Sequence, residues 1–176
     1  GRAAFGRDPL VPFRSQCSLA VSLDGACWAI LNAAPELRQQ ILDNRPLHPA
    51  VAPRSSPIKA VLLTGAEIDQ VAGLLTLRER QPFDLWASTP TLTALAMNPI
   101  FEALAPETVT RRAVTPGVAF APLDGLSVTA LDIPGKAPLY LERTRPDPAQ
   151  GEPGDCLAYV LEAAGRRAVF APGCKA

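Results

Sequence analysis

Histidine is almost missing from this chain of 176 residues, because His48 is the only one. Zinc and non-haem iron centres usually take two or three imidazole ligands. The scarcity therefore excludes a site built from several imidazoles of this chain. His48 lies in a polar loop between Pro46 and Pro49, where we expect an exposed side chain rather than a metal ligand.

The chain also lacks an excess of charge of either sign, and it lacks long apolar runs. Lys and Arg together number 17, and so do Asp and Glu, which makes the formal net charge zero. This balance disfavours nucleic acid or an anionic membrane as a partner. No stretch approaches the roughly 20 apolar residues of a membrane span, and no charged-then-apolar leader opens the sequence. We predict a cytoplasmic protein.

Cysteine pairs spaced as C-x-x-C are absent as well, which argues against a zinc knuckle or a thioredoxin-like redox pair. The four cysteines are predicted to be buried thiols, with Cys174 beside Pro172–Gly173 the strongest candidate for a functional one. The 19 prolines are dispersed along the chain, so we expect them at the boundaries of helices and strands rather than in a disordered tract. The length fits a single domain, residues 1–176.

The first half of the chain alternates strand and helix signals. Residues 17–22 and 27–33 flank Asp24–Gly25 and predict a β-hairpin. Pro35 is well placed to start a helix that ends near Asn44. The near-continuous apolar run 58–63 predicts a central strand covered on both faces. Further signals predict a helix over 67–79, a strand over 83–88, and helix starts at Thr89–Pro90 and Asn98–Pro99.

Strands dominate the second half of the sequence. They are predicted over 118–123, 125–133, 156–164 and 168–173, with a proline-rich loop over 134–153 and a hairpin turn at Gly165–Arg166. Helices are concentrated in the middle of the chain and strands lie at both ends, which indicates an α+β sandwich without internal repeats.

Residues 61–75, VLLTGAEIDQVAGLL, carry the most informative motif. They resemble the first metal motif of the metallo-β-lactamase superfamily, in which a strand ends in Thr-His-x-His-x-Asp-His and glycine follows three residues after the last histidine. Thr64, Asp69 and Gly73 match that motif. The histidine positions of the motif fall on Gly65, Glu67 and Gln70. The other motif residues are therefore present at the right spacing, but the imidazole ligands are not.

Segments spread over nearly the whole chain resemble one branch of that superfamily, the pyrroloquinoline quinone biosynthesis protein B family. They are RSQCSLAVS (14–22), NAAP (32–35), QQI (39–41), LHP (47–49), SPI (56–58), GLLTLRERQPF (73–83), NPIF (98–101), IPGK (133–136), LYLE (139–142) and FAPGC (170–174). The resemblance implies an αββα sandwich. Members of the family extend further at both ends, so this resemblance makes the chain a partial copy of the domain.

The resemblance also implies a role in making the redox cofactor pyrroloquinoline quinone, PQQ, from a peptide precursor. The associated activity is an iron-dependent hydroxylation of the tyrosine in a glutamate–tyrosine unit, and the alternative is binding or transport of the precursor or PQQ. The implied cofactor is iron or zinc, or none in this chain. The implied partners are the precursor or PQQ, other proteins of the pathway and a second copy in a homodimer.

Five residues are the candidates for the site. Asp69 is the first-choice metal ligand, Glu67 can reach the same face of the loop, and Asp155 approaches from the other half of the chain. Arg14 and Gln70 are candidates for substrate binding. Each has a structural alternative: the two acids at the helix start can favour the helix dipole, Gln70 can bond a loop carbonyl, and Arg14 can anchor the lead-in segment.

Three functions therefore stay open at the level of sequence. The first is a metal-dependent enzyme of the PQQ pathway that uses Asp69. The second is a non-catalytic relative that binds a precursor peptide, PQQ or a partner enzyme. The third is a phosphodiester hydrolase, which is the weakest because such sites need the two-metal imidazole set that is missing here.

Overall fold

The structure is a computed structural model that describes residues 10–11, 14–49, 55–144 and 151–173. The strands are β1 Leu19–Val21, β2 Trp28–Leu31, β3 Ile58–Leu62, β4 Phe83–Ala87, β5 Val109–Ala113, β6 Ala119–Leu123, β7 Leu126–Asp132, β8 Leu157–Ala163 and β9 Arg166–Phe170. The α-helices are α1 Leu37–Asp43, α2 Ile68–Val71 and α3 Thr89–Ala96. Short 3₁₀ helices span Arg45–Leu47, Ala72–Leu77, Pro99–Ala103 and Leu139–Thr144.

The strands form two sheets. The first has the order β1-β2-β3-β4-β5, and all its neighbours are parallel except the β1–β2 hairpin. The second, with the order β6-β7-β8-β9, is antiparallel throughout. Both the predicted hairpin and the predicted central strand are confirmed, because β3 is the middle strand of the first sheet.

Side chains that alternate along the strands of the first sheet point into two separate hydrophobic cores. Val61 and Leu63 point to the core that α1, α2 and α3 cover, whereas Ala60 and Leu62 point to the core between the sheets. Ala60, Val61 and Leu62 are all buried, so this part of β3 is apolar on both faces, and only Lys59 near its start is exposed. The predicted α+β sandwich is confirmed.

Helices cover only the first sheet among the described residues. The buried Leu37, Val71 and Leu95, one from each α-helix, all belong to the first core. On the outer face of the second sheet, Leu131 and Val169 are 42% and 63% exposed. The described residues thus form a helix–sheet–sheet arrangement, and none of their helices is long and apolar enough to cross a membrane.

The prediction of one continuous helix over 67–79 was wrong, because two helices of different type occupy this segment. Only Ile68–Val71 is α-helical, and Ala72–Leu77 continues as a 3₁₀ helix. The cause is contact with the segment after β2: the Ala33 N–H donates to the Gln70 carbonyl at 2.7 Å, and the Gly73 N–H donates to the Ala33 carbonyl at 2.8 Å. These bonds take the polar groups of this segment out of the regular α-helical pattern.

A helix cap, a turn and one missed strand also differ from the sequence predictions. Ser88, not Thr89, caps α3, since its Oγ accepts from the Thr91 N–H at 3.2 Å. The last hairpin turns at Ala164–Gly165, whose φ angles of 48° and 73° suit a two-residue turn, and not at Gly165–Arg166. Strand β5 was not predicted, because the sequence VTRRA lacks the alternation of a half-buried strand.

Candidate functional site

Asn32 and Thr64 anchor the loop that follows β3. Asn32 directly follows β2 and has a φ of 60°, a left-handed conformation that asparagine tolerates better than most residues. Its Oδ1 accepts from the Thr64 N–H at 2.8 Å, and its Nδ2 donates to the Thr64 Oγ1 at 2.9 Å. Both side chains are buried. The Thr64 carbonyl in turn accepts from the Leu157 N–H at 2.7 Å, which ties the loop to the second sheet.

Replacing Asn32 with alanine should loosen this anchor. The variant loses the side-chain bonds to Thr64 and forces alanine into a positive φ, so we expect a loss of about 2 kcal/mol in the free energy of unfolding, measured by urea denaturation. Asn32→Gly is the matched control, since it loses the same bonds but tolerates the backbone angle and should lose less. An Asn32→Ala protein as stable as the wild type would contradict this account.

A cleft of about 890 Å³ opens beside this loop, where β2 and β3 end. Sites of α/β proteins are commonly built beyond the carboxyl ends of parallel strands. The cleft brings together six segments that are separate in the sequence. Its lining residues are Gln16, Cys17, Asn32, Pro35, Glu67, Ile68, Asp69, Gln70, Gly135, Lys136, Leu139, Cys156, Pro172 and Gly173.

Three of the predicted site residues line this cleft together. Glu67 is the N-cap residue of α2, and its carboxylate accepts from the Leu139 N–H at 3.4 Å. Asp69 lies in the first turn of the same helix and is exposed to solvent. Gln70 is only 9% exposed, and its Oε1 accepts from the Glu67 N–H at 3.2 Å. Glu67 thus lies at the helix start as its structural alternative held, whereas Gln70 bonds a backbone N–H and not the loop carbonyl that was considered.

Asp155 and Arg14 are placed differently. Asp155 is buried beside the loop rather than lining the cleft, and its Oδ2 accepts from the Glu152 N–H at 2.7 Å. Arg14 is exposed and does not line the cleft, although Gln16 and Cys17 from the same lead-in segment do.

The other singled-out residues are a histidine away from the cleft, two cysteines that line it and one cysteine outside the described residues. His48 is only partly exposed, so its side chain is less accessible than expected, and its Nε2 lies 3.0 Å from the Leu42 carbonyl oxygen. Cys156 is buried as predicted, whereas Cys17 is exposed. Cys174 lies outside the described residues.

The sequence analysis missed the segment that forms one wall of the cleft. Tyr140, in the predicted proline-rich loop, donates its OH to the Ala66 carbonyl at 2.9 Å. Burial, helped by the negative charge of Glu67, raises the pKa of the Tyr140 phenol. Nearby, the Lys136 Nζ lies 3.1 Å from the Glu142 Oε1. The motifs IPGK and LYLE were available as signals, but only the tertiary structure places them against the loop after β3.

The donors at this site do not fit a transition-metal centre. Such a centre needs three or more nitrogen, sulfur or oxygen ligands about 2.0–2.3 Å from the ion. Gly65 has no side chain, and the Gln70 oxygen, a poor ligand for such metals, already accepts a backbone hydrogen bond. Within residues 14–49, 55–144 and 151–173, no three His, Cys, Asp or Glu side chains are grouped so that they could hold a metal ion.

Known proteins share both the sequence and the fold of this chain. Residues 27–176 match the model of the beta-lactamase superfamily domain. Coenzyme PQQ synthesis protein B of Methylobacterium sp. (strain 4-46) is 48% identical over 171 residues, which are 97% of this chain and 57% of that protein. The chain thus spans a little more than half the length of the curated relatives it matches.

Solved structures show the same relationship. The crystal structure of Zn(2+)-bound PqqB from Methylobacterium extorquens matches with a TM-score of 0.93 and 43% identity, over 98% of this chain and 57% of that one. The metallo-beta-lactamase fold protein YhfI from Bacillus subtilis matches with a TM-score of 0.60 and 11% identity, over 89% of this chain and 54% of that one. The second likeness concerns the fold alone.

The chain therefore belongs to the β-lactamase superfamily, and the predicted metallo-β-lactamase-like sandwich is confirmed. Within that superfamily it belongs to the PqqB-like family, as the sequence resemblance predicted. The loop that follows β3 is the segment that resembles the superfamily's first metal motif, and it has Gly65, Glu67 and Gln70 at the histidine positions of that motif.

Proposed function

We propose that this chain serves PQQ biosynthesis as a binding module, and that the cleft beside α2 takes the peptide-derived precursor or PQQ. The observation that carries the proposal is the cleft itself, which is built around the family's motif but holds hydrogen-bonding groups where metal ligands are expected. Its volume of about 890 Å³ is within the range of small-molecule sites, roughly 300–1,000 Å³. We also propose that residues 1–176 form one partial domain and that protein partners come from the same pathway.

Lys136 is the cation that supports binding of an acidic ligand. It lines the cleft, and its pairing with Glu142 is exposed enough to be exchanged for a ligand carboxylate. Ile68 and Leu139, which are 57% and 64% exposed at the cleft, add apolar surface for a ring. A ligand with carboxylates and an aromatic ring, such as a glutamate–tyrosine peptide or PQQ, matches this combination.

Calorimetric titration of the protein with glutamate–tyrosine peptide and with PQQ tests the proposal. We expect saturable binding in buffer containing EDTA, weakened about fivefold or more in Lys136→Ala, because a charged hydrogen bond contributes about 1.5–3 kcal/mol before exposure reduces it. Lys59→Ala is the matched control: Lys59 is also exposed, lies outside this cleft, and should leave the affinity unchanged. No heat with either ligand, with or without added metal, rejects the proposal.

The second candidate is the metal-dependent hydroxylation of the precursor, with Asp69, Glu67 and Asp155 as ligands. The observation in its favour is the 43% identity to a Zn(2+)-bound relative, and the observation against it is the donor set described above. The same titrations, repeated after anaerobic loading with Fe(II) and with metal content measured, separate the two candidates. Binding that needs about one equivalent of metal, and that Asp69→Ala abolishes without loss of secondary structure, supports the enzyme.

A further inference from the structure

In the Gln70 carboxamide, the oxygen accepts a hydrogen bond within the protein, whereas the nitrogen donates none to a described residue. It is 9% exposed, and its Oε1 accepts from the Glu67 N–H at 3.2 Å. Among the described residues, no group accepts a hydrogen bond from its Nε2. The Nε2 is not among the buried atoms that lack a partner, so water reaches it and its acceptor is a solvent or ligand oxygen. Because Gln70 also lines the cleft, a bound ligand is the natural source of that acceptor.

Gly65 gives the Gln70 carboxamide the room it occupies. A Cβ at position 65 would lie 2.7 Å from the Gln70 Oε1 and 2.8 Å from the Asp155 carbonyl oxygen. Any side chain at that position would therefore displace the carboxamide. Gly65 and Gln70 are therefore compatible with each other. Because Gly65 has no side chain, the Gln70 carboxamide fits beside it.

The fixed Oε1 also determines the direction of the Nε2. Gly173 lies beside the Gln70 Nε2, because a Cβ built on Gly173 would be 4.0 Å from that nitrogen. Gln70 and Gly173 both line the cleft, so the amide nitrogen lies where these two parts of its wall meet. A ligand oxygen bound in the cleft beside Gly173 can accept from the Nε2 without disturbing the bond to Glu67.

We propose that the Gln70 Nε2 donates to a carbonyl or carboxylate oxygen of the organic ligand, so that this cleft recognises its ligand by an amide hydrogen bond in place of a metal ion. The inference deepens the proposed function and depends on the cleft being the binding site. The ligand class is a small organic molecule with an acceptor oxygen at the floor of the cleft and apolar surface at the rim, where Ile68 and Leu139 are exposed.

The variant Gln70→Glu tests the Nε2 hydrogen-bond donor separately from the Oε1 acceptor. The carboxylate can still accept from the Glu67 N–H, but at pH 8 it has no hydrogen to give and it repels a ligand carboxylate. We expect the dissociation constant for glutamate–tyrosine peptide or PQQ, measured by calorimetry in EDTA, to rise at least tenfold. The thermal midpoint should stay within a few degrees of the wild type, because the capping interaction is kept.

Gln70→Leu is the second variant, which removes donor and acceptor together, and Gln39→Leu on the exposed face of α1 is its matched control. We expect the first to lose binding at least tenfold and the second to bind as the wild type does. Binding within twofold of wild type in both Gln70 variants overturns the inference while leaving the proposed function intact. Wild-type binding that requires Zn(II) or Fe(II) also overturns it, and no binding under any condition overturns both.

Discussion

Replacing Gly73 with alanine is expected to cost about 3 kcal/mol or more in the free energy of unfolding, because the added methyl group has no space. Its Cβ would lie 2.1 Å from the Ala34 carbonyl oxygen and 2.8 Å from both the Ala33 carbonyl oxygen and the Leu37 Cβ. Two of these atoms are backbone, so a rotamer change cannot relieve the collision. The backbones must separate, which also breaks the 2.8 Å bond from the Gly73 N–H to the Ala33 carbonyl.

Urea denaturation followed by circular dichroism measures this loss. Gly25→Ala is the control, since nothing lies within 4 Å of its added Cβ and only its φ of 72° opposes alanine. That strain should cost about 1 kcal/mol. A Gly73→Ala protein no less stable than Gly25→Ala would show that the two backbones do not pack this closely.

Alkaline pH should destabilise the protein through Tyr159. This residue is fully buried between the sheets, and its OH donates to the Leu63 carbonyl at 2.8 Å. Burial raises the pKa of the Tyr159 phenol far above its usual value. The unfolded chain releases this proton near pH 10 while the folded protein keeps it, so the stabilisation is complete below pH 10 and declines as the pH rises beyond it.

The expected decline from Tyr159 alone is about 1.4 kcal/mol per pH unit above pH 10. Urea denaturation of wild type and Tyr159→Phe between pH 8 and pH 12 measures it. The variant should lose about 1–2 kcal/mol at neutral pH, since the Leu63 carbonyl loses its donor, and should show a shallower alkaline slope. Tyr140→Phe removes the other tyrosine, which is 37% exposed, and should change the slope less. Equal slopes in wild type and Tyr159→Phe would contradict the assignment.

The predictable part of the fold came from local patterns. Asp24–Gly25 between two apolar segments predicts the hairpin because the turn needs a positive φ, which Gly25 adopts at 72°. The run 58–63 predicts a central strand because a nearly continuous apolar run, interrupted only by Lys59, is typical of a strand with two buried faces. Strand β5 escaped prediction, since Arg111 and Arg112 pair with Glu102 and Asp84, partners that only the folded chain brings near.

The candidate site was predictable only in part. The motif indicated Glu67, Asp69 and Gln70 because they are close in sequence and open one short helix. Asn32 and Lys136 reach the same cleft from other elements, and the segments NAAP and IPGK that contain them did not by themselves indicate a place in the site. Asp155 was predicted to approach from the other half of the chain, and the structure places it beside the loop but buried behind the cleft wall.

The sequence by itself determined the family, the order of the main elements and the scarcity of imidazole ligands. These properties depend on which residues are present and on their local spacing. Only the tertiary structure decided what Gly65, Gly73 and Gln70 do, because each role depends on a distance across the fold. Gly73 permits two backbones to meet, and Gly65 makes room for the carboxamide that orients the Gln70 donor into the cleft. Such contacts join segments that a local pattern cannot relate.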